Sequence, residues 1–124
     1  MYPKIVVKIK ENVKNSLFRH CPKDIWAQDK AKYVNALLLD VIANHERYRP
    51  KESIFSAWLD AQAKGKDVTI SFTFSDSSKL LIKNFAARSF RDIKNSTLYL
   101  LHLIAYLMES NQKINHHFKK ITEG

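Results

Sequence analysis

Two short stretches of this chain carry hydrogen-bonding side chains on alternate residues. Lys4, Val6 and Lys8 alternate with Ile5, Val7 and Ile9, and Thr69, Ser71 and Thr73 alternate with Ile70, Phe72 and Phe74. Ammonium groups donate hydrogen bonds, while hydroxyls both donate and accept. A strand pair presenting these groups on one face is equipped to read a polar surface. The other chemically capable residues do not combine. His20-Cys21 and His116-His117 are adjacent pairs, and neither a C-x-x-C nor an H-x-x-x-H spacing occurs, so no metal site is expected. Cys21 lies on an apolar helical stripe and reads as a buried small residue rather than a nucleophile. With Gly65 and Gly124 the only glycines, a Gly-rich phosphate loop is excluded, and no carboxylate pair stands apart from ordinary surface acids. Neither enzymatic activity nor a cofactor is expected.

The elements that must position the two polar rows repeat. Shifting the first stretch by 65 residues lays Ile5, Val7 and Ile9 on Ile70, Phe72 and Phe74, and Lys4, Val6 and Lys8 on Thr69, Ser71 and Thr73. Alternation of this kind marks a strand with one buried face, over about Lys4 to Ile9 and Val68 to Phe74. After the first strand, Val13, Leu17 and Cys21 recur at helical spacing with Phe18 beside them, and Pro22 should stop that helix. A turn through Asp24 and Trp26 leads to Asp29, the expected N-cap of a helix carrying Tyr33, Val34, Leu37, Leu38, Val41 and Ile42 and fading near His45. After the second strand, Ser75 or Asp76 should cap a helix bearing Leu81, Ile82, Phe85 and Ala86. A turn through Ser89 and Asp92 then precedes a long helix, roughly Asn95 to Ser110, with Leu98, Leu101, Ile104 and Leu107 on its core face.

Between the two units, Arg47-Tyr48-Arg49-Pro50 breaks the chain. Ser53 to Lys64 reads as an amphipathic helix stopped by Gly65, with Ile54, Phe55, Trp58 and Leu59 on one side. These apolar residues either cap the core beneath the crossover or form a docking surface for a protein partner. The stretch from Asn111 to Gly124 is basic, with Ile114, Phe118 and Ile121 at helical spacing. A single domain over residues 1–124 is expected, made of a first strand-helix-helix unit (1–48), a connecting helix (49–66), a second unit (67–110) and a basic tail (111–124). One unit cannot build a core, because its strand has no partner and its helices keep a bare face. Two units solve both problems.

Composition narrows the partner. Twenty-one Lys and Arg against 12 Asp and Glu give a net charge of +9, which favours a polyanion: nucleic acid first, an anionic membrane surface second. A lone cysteine excludes an internal disulfide and fits a reducing compartment. Met1-Tyr2-Pro3-Lys4 lacks the apolar stretch of a signal peptide, and the longest apolar run, Leu98 to Met108, is interrupted by His102 and too short to span a bilayer. A cytoplasmic location and no membrane contact are therefore expected.

The stretch Val7-Lys8-Ile9-Lys10-Glu11-Asn12-Val13 through Leu17 and Cys21, then Tyr33-Val34-Asn35-Ala36-Leu37-Leu38, resembles the ribbon-helix-helix superfamily of the Met and Arc repressors. Phe72-Thr73-Phe74-Ser75-Asp76 through Ile82 and Ala86 repeats the first part. Two units in one chain resemble the tandem single-chain forms among conjugation and DNA-transfer accessory proteins. The proline that often follows the strand is missing from both units, and polar Ser78 and His102 fall where Val13 and Leu37 lie in the first unit.

The resemblance implies a mainly α fold with a short antiparallel β-ribbon, a tandem ribbon-helix-helix forming an intramolecular pseudo-dimer. It implies a ribbon in the DNA major groove, with base contacts from Lys4, Val6, Lys8, Thr69, Ser71 and Thr73. Phosphate contacts are implied at Lys10, at the amides near Lys30, Ala31 and Lys32 and near Asn95, Ser96 and Thr97, and at Lys94, Arg88 and Arg91. The expected function is sequence-specific binding of double-stranded DNA. The role is transcriptional repression, or service as an accessory factor of a plasmid or mobile-element DNA-processing complex, by a monomeric pseudo-dimer that can assemble side by side on DNA. The alternative is a protein-interaction module, an antitoxin or inhibitor docking through the middle helix around Ile54, Phe55 and Trp58 or through the tail. A single-strand or RNA binder would need outward aromatics on the ribbon, whereas Phe72 and Phe74 turn inward in this alignment.

Overall fold

The computed structural model describes residues 4–21 and 26–123, and their side chains except those of 26–29. Alternating side chains produce two strands of seven residues, β1 (Lys4–Lys10) and β2 (Asp67–Thr73). They pair antiparallel into a two-stranded sheet running from Lys4↔Thr73 to Lys10↔Asp67. Ile5, Val7, Ile9, Ile70 and Phe72 face inward and are buried. Phe74, one residue beyond β2, is buried as well, its ring edge-on to Phe72 at 5.3 Å. Val6 faces Ser71 across the ladder, the residue on which the 65-residue shift places it.

The rest is mainly helical. Helix α1 (Glu11–Leu17) starts without a break from β1, and the Glu11 amide donates to the Lys66 carbonyl at 2.8 Å. It ends four residues short of Cys21, which the sequence placed on the same stripe. The reason is tertiary: the Tyr33 hydroxyl donates to the Leu17 carbonyl at 2.6 Å, and the chain turns through Phe18–Cys21 with Cys21 still buried. The expected stop at Pro22 and the turn at Asp24 lie outside the described residues. Helix α2 (Trp26–Ala43) begins three residues before Asp29, whose side chain is likewise outside them. The one-turn α3 (His45–Tyr48) and α4 (Glu52–Gln62) make the crossover to β2.

Helix α5 (Asp76–Arg88) is capped by Ser75, whose hydroxyl accepts from the Ser78 amide at 3.2 Å and donates to the Ser78 hydroxyl at 3.0 Å. That pairing explains polar Ser78, fully buried, where the first unit has Val13. Helix α6 (Ile93–Ser110) is capped by Asp92, and α7 (Gln112–Thr122) by Asn111. Both α2 and α6 have 18 residues, but they start 67 residues apart rather than 65. On that spacing Tyr33, Val34, Leu37, Leu38 and Val41 coincide with Leu100, Leu101, Ile104, Ala105 and Met108, all buried. The polar mismatch at His102 thus arises from the wrong shift. Leu98, expected in the core, is only partly buried, and Leu100, Leu103 and Met108 take the interior instead.

The helices interlock. Helix α1 packs on α6 and α5 packs on α2, so the first helix after each strand lies on the second helix of the other half. Removing either half would expose the core of both. The segment after Asn111 is no loose tail: α7 packs on α6 and α2, with Phe118 fully buried against Tyr48.

Candidate nucleic-acid interface

Strand pairing sets the outward row in three rungs, Lys4↔Thr73, Val6↔Ser71 and Lys8↔Thr69. Lys4, Lys8 and Thr69 are exposed, Val6 is 49% exposed, and Ser71 and Thr73 are half-buried. Rungs two residues apart are about 6.5 Å apart, so three of them cover a few base steps. Ribbon width suits a major groove about 12 Å wide. Both long cations sit on β1, one at each end of the row, and the shorter hydroxyls all sit on β2. The surface is therefore asymmetric across the strands.

Lys10 faces the same way as Lys8 but is occupied. Its Nζ lies 2.8 Å from Asp67 Oδ1 across the last rung. The Lys10 hydrogen bond, helped by the charges of Lys10 and Lys8, holds the Asp67 carboxyl below its usual range. A phosphate at Lys10 must therefore compete with a carboxylate.

At the other end, burial first, then the charges of Lys14 and Lys4, lowers the Lys30 pKa. Lys30 thus feels two other lysines, of which Lys14 was not among the expected phosphate contacts. The amides of Lys30, Ala31 and Lys32 offer less than expected. They are the fifth to seventh residues of α2, where helix geometry uses each N–H internally. The Ala31 carbonyl accepts from Asn35 Nδ2 at 2.6 Å and its side chain is half-buried on the core, while Lys32 is exposed.

The second expected phosphate anchor moves for the same reason. Because α6 starts at Ile93, the Ser96 amide already donates to the Asp92 carbonyl at 3.0 Å, and the Asn95 amide donates to Asp92 Oδ1 at 2.6 Å. Ser96 and Thr97 are fully buried, with the Thr97 hydroxyl donating to the Ile93 carbonyl at 2.7 Å. Helix geometry leaves the Ile93 and Lys94 amides open instead, beside an acidic cap. Arg88, Arg91, Lys94 and Asn95 are exposed.

Of the expected docking residues, one is inside the molecule and one, Trp58, is partly buried against it. Phe55 is buried, stacked on Trp58 at 6.1 Å and edge-on to Tyr99 and Tyr106; Trp58 meets Tyr106 at 5.5 Å. Ile54 alone of the three faces outward, at 50% exposure. The crossover helix thus caps the core. His20 Nε2 lies 2.7 Å from Asn115 Oδ1 and His117 Nε2 2.9 Å from Asp40 Oδ1, so both histidines tie α7 to the body.

Sequence reasoning also missed Phe90. It is 98% exposed and holds a left-handed φ of 55°, in the short connection between α5 and α6. The turn is closed by the Arg91 amide donating to the Ala86 carbonyl at 3.0 Å. No local signal marks such a turn in the absence of glycine.

Among the described residues, no helix is long and apolar enough to cross a membrane. No family model matches this chain, and neither does any curated protein or solved structure.

Proposed function

We propose that this chain binds double-stranded DNA sequence-specifically, as a tandem ribbon-helix-helix protein inserting its two-stranded ribbon into the major groove. It acts in the cytoplasm as a transcriptional repressor or as an accessory factor of a plasmid or mobile-element DNA-processing complex. The observation that carries the reading is the outward row of Lys4, Val6 and Lys8 against Thr73, Ser71 and Thr69, raised on interlocked helices in a protein of net charge +9. Lysine ammonium groups donate to guanine O6 and N7, hydroxyls donate or accept, and the Val and Thr methyls meet the thymine methyl. The surplus of Lys and Arg over Asp and Glu supplies the positive field for backbone phosphates.

One observation favours a second reading, a protein-interaction module. Phe90 is almost wholly exposed on a left-handed, strained backbone, a costly placement for an aromatic side chain. Binding of labelled duplex measured over a range of salt separates the two. For roughly 6–8 phosphate contacts, log K falls against log salt with a slope of about −5 to −7. An interaction module gives no duplex binding, or binding without sequence preference.

A further inference from the structure

We infer that a second polar site, a phosphate-binding cleft, lies where the end of α2 and the crossover meet the end of α5. Two adjoining cavities of about 490 and 780 Å³ share His45, Arg49 and Ser89 as lining residues. The smaller adds Arg47 and Arg88, and the larger adds Arg91 and the Ser56 hydroxyl-bearing side chain. Arginines thus meet from two stretches of sequence about 40 residues apart, 47–49 and 88–91, which no local pattern requires.

Their charge is poorly compensated. Glu46 pairs with Arg49 at 3.2 Å and Glu52 lines the larger cavity, but among the described residues neither Arg88 nor Arg91 has a carboxylate within ion-pair distance. Arg91 lies 4.5 Å over the Tyr99 ring, which leaves its N–H edge available. His45 sits at the centre. Its Nε2 is 2.8 Å from the Tyr99 hydroxyl, and its ring lies edge-on to Phe85 at 5.0 Å. Burial lowers its pKa; Glu46 acts in the opposite sense, and Arg49, Arg88 and Arg91 lower it further. Arg49, Arg88 and Arg91 thus line one concavity together with half-buried His45. Planar forks around a concave, hydroxyl-bearing surface suit the oxygens of a phosphate group.

The phosphate has two possible sources, a DNA backbone flanking the ribbon or a free phosphorylated small molecule. The cleft does not depend on the DNA-reading proposal. Its test is a titration of the full chain with inorganic pyrophosphate, followed by amide spectra and by the His45 ring titration. The expected result is amide shifts clustered at His45, Arg49, Ser89 and Arg91, and a rise in the His45 pKa as the anion offsets the arginine field. The Arg49→Gln/Arg88→Gln double variant alters two exposed side chains, and its amide spectrum reports directly that it folds. It should bind pyrophosphate at least about tenfold more weakly. If DNA is the source, the same variant loses phosphate contacts on one flank of the duplex and keeps its base preference. If pyrophosphate binds and duplex does not, the site takes a free phosphate and the ribbon proposal fails alone. Unmoved amides at these four residues, or unchanged pyrophosphate affinity in the double variant, overturns the cleft whatever the chain does with DNA.

Discussion

Asn35 on α2 clamps the far end of the ribbon: its Nδ2 donates to the Thr73 carbonyl at 2.9 Å. The same side chain accepts the Ser75 amide on Oδ1 at 3.1 Å, so one buried amide fixes both the last residue of β2 and the cap of α5. The equivalent position on α6 is His102, which turns back to its own helix and lies 2.8 Å from the Leu98 carbonyl. The two ends of the ribbon are therefore held differently. Asn35→Leu leaves the Ser75 amide and the Thr73 carbonyl without their partner, and should cost about 1–3 kcal/mol in urea unfolding. A change within a few tenths of a kcal/mol would mean that the clamp does not hold the strand end.

The segment after Asn111 is a second test of the architecture. Phe118 is fully buried between α2, α3 and α6. Phe118→Ala should destabilise the whole chain by about 3–5 kcal/mol in one cooperative transition. Loss of α7 alone, with the remaining helices melting as before, would show the segment to be an appendage.

Acid sensitivity follows from His102. Burial lowers its pKa below the usual 6.5, an effect the Leu98 carbonyl only partly offsets. The unfolded chain then binds the proton more readily than the folded one. Stability is full above about pH 6.5 and falls as pH drops from that value towards the lowered folded pKa. His45, lowered by burial first and then by its arginine neighbours, adds to the same slope. His102→Leu should flatten the fall in melting temperature between about pH 6.5 and 5. An unchanged slope would place the acid sensitivity elsewhere.

The parts legible in the sequence are those decided locally. Period-two alternation gave both strands to within a residue, because burial on one face leaves no other register for Ile5, Val7 and Ile9. The helical stripe of Ile114, Phe118 and Ile121 was equally plain, but its docking depends on Tyr48 and on the His117–Asp40 pair, which lie far away in sequence. The end of α1 was hidden because a hydroxyl on another helix decides it. The shift between α2 and α6 was misread by two residues because α5 runs on for 13 residues where the Tyr33 hydroxyl ends α1 after 7. The phosphate anchors were displaced because both helices start earlier than expected, and an amide is open only in the first turn of a helix. The outward row itself depended on alternation alone, whereas the arginine cleft is assembled from segments that meet only in the folded chain.

The most direct test of the central claim is the motif that the isolated chain selects from a pool of random duplexes, read together with the number of chains bound. The outward row carries lysines on one strand and hydroxyls on the other, so one chain should select a non-palindromic site, most strictly read under Lys4 and Lys8. Lys8→Ala should cost about 1–3 kcal/mol on that site and little on random duplex. No enriched motif, or a loss for Lys8→Ala that is equal on selected and random duplex, would contradict base reading by the ribbon.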